Sequence, residues 1–243
     1  MEKDNPANLV MLPGLDGTGI LFRPLLAALP KWVRPRVIAY PKDQQLSIAE
    51  YADLVARQLP HGGFTLLAES FSGLVALELM ARKLPGLKSI LFVVTFAAPP
   101  RPRLLNLARR LPGTGSVIRI APDFLLQHFC LGKNASATEL SLLREALAEV
   151  HPAILRHRLS LIASCQPLEI KPQQPPCHYL QAARDRLVPP TAARWFGVHL
   201  ESCQLDSLEG PHLLLQTRPK ACAEWIAGKI RPLAEPADDM ASQ

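Results

Sequence analysis

The sequence contains no apolar run approaching the roughly 18 to 20 residues that span a bilayer. Its opening, Met1-Glu2-Lys3-Asp4-Asn5-Pro6, lacks the basic-then-apolar pattern of a secretory signal. The expectation is a protein neither exported nor stably inserted in a membrane, working in the cytoplasm. Cysteine is sparse: Cys130, Cys165, Cys177, Cys203 and Cys222 show no CxxC or metal-finger spacing, and an odd number cannot all pair within one chain. Free thiols in a reducing compartment follow, and neither a metal nor a cofactor is expected. Aromatic residues make up only 6% of the chain and nowhere interleave with basic ones, so the formal charge of +6, spread over dispersed Lys and Arg, argues against nucleic acid as a partner. Internal repeats and low-complexity tracts are also missing.

What remains is an ordinary globular composition, 48% hydrophobic and 20% charged, over 243 residues, which suits one large α/β domain carrying an insertion. Short runs rich in Val, Ile, Leu and Phe near 8–12, 35–40, 64–69, 88–96, 178–184 and 199–205 read as strands buried on both faces. Helical periodicity falls near 19–29, 46–59, 71–84, 190–197 and 214–229. This alternation predicts a mostly parallel sheet of about six strands flanked by helices. One connection breaks the rhythm: about 80 residues separate the fourth and fifth strands, where a crossover needs only a dozen or so. A helical lid over 98–176 is therefore expected, inserted into a core formed by 1–97 and 177–243. Inside it, Ser136 and Glu139 have the form of a capping box ahead of Leu140, Leu143, Leu147 and Val150. Pro152 precedes a second stripe of Ile154, Leu155, Leu159 and Ile162, and 103–111 and 116–129 offer shorter helices. The tail beyond Arg231 carries no apolar run and is expected to fray.

The run Phe64-Thr65-Leu66-Leu67-Ala68-Glu69-Ser70-Phe71-Ser72-Gly73 takes a buried strand into a helix with almost no loop. Such a bend crowds the backbone around its apex and demands small residues two before and two after it. With Ser70 at the apex these are Ala68 and Ser72. With Ser72 at the apex, Leu74 would clash, so Ser70 is the candidate nucleophile. This segment resembles the G-x-S-x-G nucleophile elbow of the α/β-hydrolase fold superfamily, in its serine ester hydrolase branch of esterases, lipases and thioesterases. Both motif glycines are replaced here by alanine and serine.

The resemblance implies the rest of a site. The Phe71 N–H, at the helix start, is expected to donate to an oxyanion. Pro13-Gly14-Leu15 after the first strand is similar to the family's oxyanion loop, with proline where histidine is common, so the Leu15 N–H is the second expected donor. The glycines at 14, 17 and 19 do not fit a phosphate-binding spacing, and Asp16-Gly17 reads as a turn, with Thr18 available to cap the next helix. The family order is Ser, then acid, then His. Arg184-Asp185-Arg186-Leu187-Val188-Pro189, after the fifth strand, is similar to its acid loop and implies Asp185. Ser207-Leu208-Glu209-Gly210-Pro211-His212, after the sixth, is similar to its histidine loop and implies His212. Elimination agrees with His212. His178 and His199 read as strand starts, some 20 Å from the catalytic edge at roughly 3.3 Å per residue; His61 precedes a strand, and His128, His151 and His157 fall in the lid.

The antiparallel strands that often open this fold are absent from the pattern. The resulting expectation is serine-dependent hydrolysis of small carboxylic esters through an acyl-enzyme. The same triad serves a thioesterase or acyltransferase, a loop similar to that of plant chloroplast ester synthases keeps acyl transfer open, and a non-catalytic ligand-binding homologue is a further alternative. Glu69 receives no role. Arg101, Arg103, Arg109 and Arg110 read either as a solvated helix face or as a contact for an anionic head group. Nothing indicates the oligomeric state.

Overall fold

The computed structural model describes residues 6–110, 113–170 and 172–231; the tail beyond Arg231 lies outside them. The strands are β1 (Ala7–Leu12), β2 (Val33–Val37), β3 (Phe64–Glu69), β4 (Leu87–Val93), β5 (Cys177–Ala182) and β6 (Cys203–Leu208). They form one parallel sheet in the order β2-β1-β3-β4-β5-β6. The chain thus starts near one edge, crosses to β3 and then proceeds outward to β6, so the carboxyl ends of β1, β3, β5 and β6 share one rim.

The inner strands explain their own sequence. All six residues of β3 are buried, because helices cover both faces of a parallel sheet. On one face pack α2 (Ile48–Ala56), α3 (Ser72–Ala81) and α9 (Pro190–His199); on the other, α1 (Arg23–Ala28) and α11 (Pro219–Ile230). Helix α2 starts with a capping box between Ser47 and Glu50, which satisfies amide donors that the first turn leaves open.

The edges depart from the sequence pattern. Strand β2 lies at 33–37 instead of 35–40 and carries Pro35 at its centre, which an edge strand tolerates. Strand β6 begins at Cys203 instead of residue 199, and α9 extends through His199. His199 is therefore the last residue of a helix, not the start of a strand. Val198, on the last turn of that helix, is solvent-exposed, whereas Leu200 just past it is buried. Strand β4 stops at Val93, since Val94 takes φ 46° and turns the chain out of the sheet. The helix expected over 214–229 is two, α10 (Leu214–Thr217) and α11, because Pro219 lacks the N–H that continuation requires.

Residues between β4 and β5 form a helical insertion: α4 (Pro102–Arg110), α5 (Thr114–Arg119), α6 (Asp123–Leu126), a π-helical turn (Gln127–Leu131), α7 (Ala137–Ala148) and α8 (Pro152–Ser164). Ser136 and Glu139 form the capping box of α7, and Pro152 is at the first position of α8. The stretch 116–129 is not one helix, because Pro122 restarts the chain. The insertion has its own small core, in which Leu143, Leu147, Ile154 and Leu155 meet Leu21 and Leu213 of the main body. Among the described residues, no helix is long and apolar enough to cross a membrane.

Candidate active site

Ser70 is the first of the two residues that turn the chain from β3 into α3. It adopts φ 48°, a left-handed conformation that costs a non-glycine residue on the order of 1–3 kcal/mol and persists only when its surroundings fix it. They do: the Ser70 N–H donates to Val93 O at 2.9 Å, and Ser70 O accepts from the Gly73 N–H at 3.0 Å and from the Thr95 hydroxyl. Ala68 and Ser72 are both fully buried. Ser72 Oγ donates to Pro13 O and meets the Tyr40 hydroxyl at 2.5 Å, which joins the elbow to the loop after β1. The tightest position is Gly73, where a Cβ would lie 1.7 Å from Thr95 Oγ1.

Ser70 Oγ lies 3.1 Å from His212 Nε2. His212 follows β6 and is 6% exposed; its Nδ1 lies 2.7 Å from Asp185 Oδ2. The other carboxylate oxygen of Asp185 accepts the amides of Leu187 and Val188, each at 2.8 Å, which fixes the plane of the carboxylate. Three side chains distant in sequence thus meet at the carboxyl rim, where open parallel sheets bind ligands.

The loop after β1 faces the same point: a Cβ on Gly14 would sit 3.8 Å from that of Ser70. Among the described residues neither the Leu15 nor the Phe71 amide donates a hydrogen bond. Asp16 accepts from the Thr18 amide at 2.9 Å and the Thr18 hydroxyl at 2.5 Å, and Thr18 Oγ1 accepts from Ile20 N, so this pair shapes the turn. Above lies a cavity of about 190 Å³. Ser70 and His212 contribute to it beside apolar side chains that include Leu105, Leu126, Leu147, Leu159 and Ile162. No three His, Cys, Asp or Glu side chains among the described residues group closely enough to hold a metal.

No protein-family model matches the sequence, and no curated protein matches it. In three dimensions the chain is similar to an esterase from Exiguobacterium antarcticum (TM-score 0.79, 12% identity, covering 94% of this chain and 93% of that one). It is also similar to a thermophilic esterase from Thermogutta terrifontis (TM-score 0.77, 16% identity, 95% and 92%). A third likeness is to the type II thioesterase of the borrelidin biosynthetic cluster (TM-score 0.67, 24% identity, 92% and 94%). The chain has the α/β-hydrolase fold.

Within that fold, the charges around Ser70 are arranged asymmetrically. Burial opposes a charged imidazole at His212, but the Asp185 carboxylate and its hydrogen bond, with a smaller contribution from Glu69, outweigh it and leave the His212 pKa raised. Glu69 is 1% exposed, so its carboxyl faces the interior. Its Oε1 accepts from Gln216 Nε2 at 2.9 Å, whereas Oε2 has no hydrogen-bond partner among the described residues. Burial dominates there, and pushes the Glu69 pKa up to about 7. Cys130, at the cavity wall, is pushed up to about 12 by burial and by the Asp185 charge, so it stays a neutral thiol.

Sequence reasoning missed two participants. Thr95 looked like part of a strand. Arg158 is fully buried and reaches from α8 into the loop after β1: one terminal nitrogen donates to Leu15 O at 2.9 Å and Asp16 O at 2.7 Å, the other to Pro41 O at 2.9 Å, and Nε to the Tyr51 hydroxyl at 3.0 Å. The guanidinium also lies over the rings of Tyr40 and Tyr51, 5.6 Å from each centroid. It fills the space beside Gly17, where a Cβ would be 2.4 Å from it. The available signal was position: 154, 158 and 162 share one helix face, so an arginine interrupts an apolar stripe.

Proposed function

We propose that this chain is a serine-dependent carboxylic ester hydrolase acting through an acyl-enzyme. The observation that carries the reading is the unbroken line from Ser70 through His212 to Asp185 at one end of an apolar cavity. Ser70 Oγ attacks the acyl carbon as its proton passes to His212 Nε2. Asp185 holds the imidazole tautomer and stabilises the imidazolium. The amides of Leu15 and Phe71 bind the oxyanion, aided by the positive end of α3. Collapse expels the alcohol, which takes the proton back from His212. Water then repeats the sequence and frees the acid. The insertion serves as a lid whose leucines receive the acyl chain, and the cytoplasm is the fitting compartment for a chain with five unpaired cysteines.

Hydrolysis of p-nitrophenyl esters tests this. Wild-type protein is expected to turn over, and Ser70→Ala and His212→Ala to lose on the order of 10³-fold or more in kcat. Undiminished rates in Ser70→Ala would contradict the proposal. A second reading, thioester hydrolysis or acyl transfer with the same residues, draws on the likeness to a type II thioesterase. Acyl-coenzyme A substrates, with and without alcohol acceptors, separate it from the first.

A further inference from the structure

Ten large hydrophobic side chains are exposed among the described residues, and seven of them fall between 104 and 129. Leu107 is 56% exposed, Val117 60%, Ile120 76% and Phe124 65%. Scattered singly such residues need no explanation, but a cluster marks a surface that meets something apolar. They protrude from the successive short segments α4, α5, α6 and the π-helical turn, with Ile120 just past α5, and Phe124, Leu125 and Phe129 border one pocket. Charge is equally uneven. The chain carries 27 basic and 21 acidic residues, yet residues 99–135 hold six Lys and Arg against one acid. That acid, Asp123, is held by Arg144. The basic residues, dispersed along the chain as a whole, thus generate nearly all of its net charge here. Leu104 and Arg101, both exposed, also line the cavity, so its mouth opens onto this face.

We propose that the face formed by α4, α5, α6 and the π-helical turn docks on an anionic lipid surface. Apolar side chains that enter the acyl boundary, beside cations that meet the head groups, are what such binding needs, and each basic residue near the surface adds to the attraction. A second copy is disfavoured because two faces of the same strong positive charge would oppose each other. A fluid surface also accepts dispersed insertion without a complementary groove. If the ester-hydrolase reading holds, the docked face brings the cavity mouth against the lipid, and substrate enters from there. That consequence rests on the reading; the docking does not.

The test is sedimentation with vesicles of phosphatidylglycerol and phosphatidylcholine, compared with phosphatidylcholine alone. Full-length wild-type protein is expected to bind the anionic vesicles, to release in high salt, and to ignore neutral ones. Ile120→Asp with Phe124→Asp, and separately Arg103→Glu with Arg110→Glu, are expected to lose at least about tenfold in affinity. Neither pair lines the cavity, so both variants keep the wild-type rate on a water-soluble ester, which also reports that they fold. Ser70→Ala is expected to bind vesicles normally, so docking and hydrolysis fail independently. The proposal is overturned if wild type does not bind anionic vesicles, binds neutral ones as well, or binds unchanged in both paired variants. Retention by an acidic carrier protein without vesicle binding would also overturn it, as would a dimer that Phe124→Asp dissociates without vesicle binding.

Discussion

At Ser70 the local and global structures pull against each other: an L residue sits at φ 48°, and Val93, Gly73 and Thr95 hold it there. Gly73→Ala places a methyl group into Thr95, and forcing that contact apart is expected to cost about 1–3 kcal/mol. Urea unfolding should show that loss, and Gly73→Ala combined with Thr95→Ala should recover part of it. Glu69 gives a second residue-scale prediction. Its pKa is about 7 in the folded chain, against an ordinary carboxylate value near 4.3 when unfolded. Between those values the unfolded chain binds fewer protons, so this group removes stability as pH rises through the window, by up to about 4 kcal/mol, and no more above it. Glu69→Gln is expected to flatten that fall, gaining on wild type from pH 5 to about pH 7 and levelling off above it in urea titrations. Because an ionised Glu69 favours the imidazolium of His212, the same variant should move the acid limb of the kcat/KM profile to lower pH. An unmoved limb would mean that Glu69 acts on stability alone.

Helix α8 helps to join the insertion to the core, and Arg158 is its fully buried polar tie. Arg158 satisfies the carbonyls of Leu15, Asp16 and Pro41, and the first of these belongs to the residue whose amide is the proposed oxyanion donor. Arg158→Met leaves those carbonyls without donors and is expected to cost ~3 kcal/mol or more. In Arg158→Lys, which keeps a charge but loses the planar fork, kcat should fall more than KM rises, and added guanidinium should restore part of kcat to Arg158→Ala. A merely structural tie would give no such rescue. The same helix shows how sequence carries information. Its proline start and apolar stripe, like the capping box of α7, were legible because they are local. Strands β1, β3, β4 and β5 were legible because burial on both faces leaves a continuous apolar run. The edge strands β2 and β6 have one neighbour each and exposed residues, so their starts slipped by two and four positions, and β4 slipped by three at its end, where Val94 turns out of the sheet. The partners of Arg158 lie more than a hundred residues away, and no periodicity reports a contact of that kind.

Across the whole molecule, a single parallel sheet places three loops on one rim, and the insertion roofs them with leucine. The meeting of Ser70, Asp185 and His212 was readable because the strand order makes it a topological consequence, each residue following a strand on the same edge. The charge of the insertion is countable in the sequence, whereas the exposure of its apolar residues was readable only once the structure showed which of them its small core leaves uncovered. The most direct measurement of the central claim is reaction with a fluorophosphonate probe followed by mass spectrometry of the peptides. One adduct is expected, on Ser70, forming faster as His212 loses its proton and absent from Ser70→Ala. An adduct on another residue, or none on well-folded protein, would contradict it.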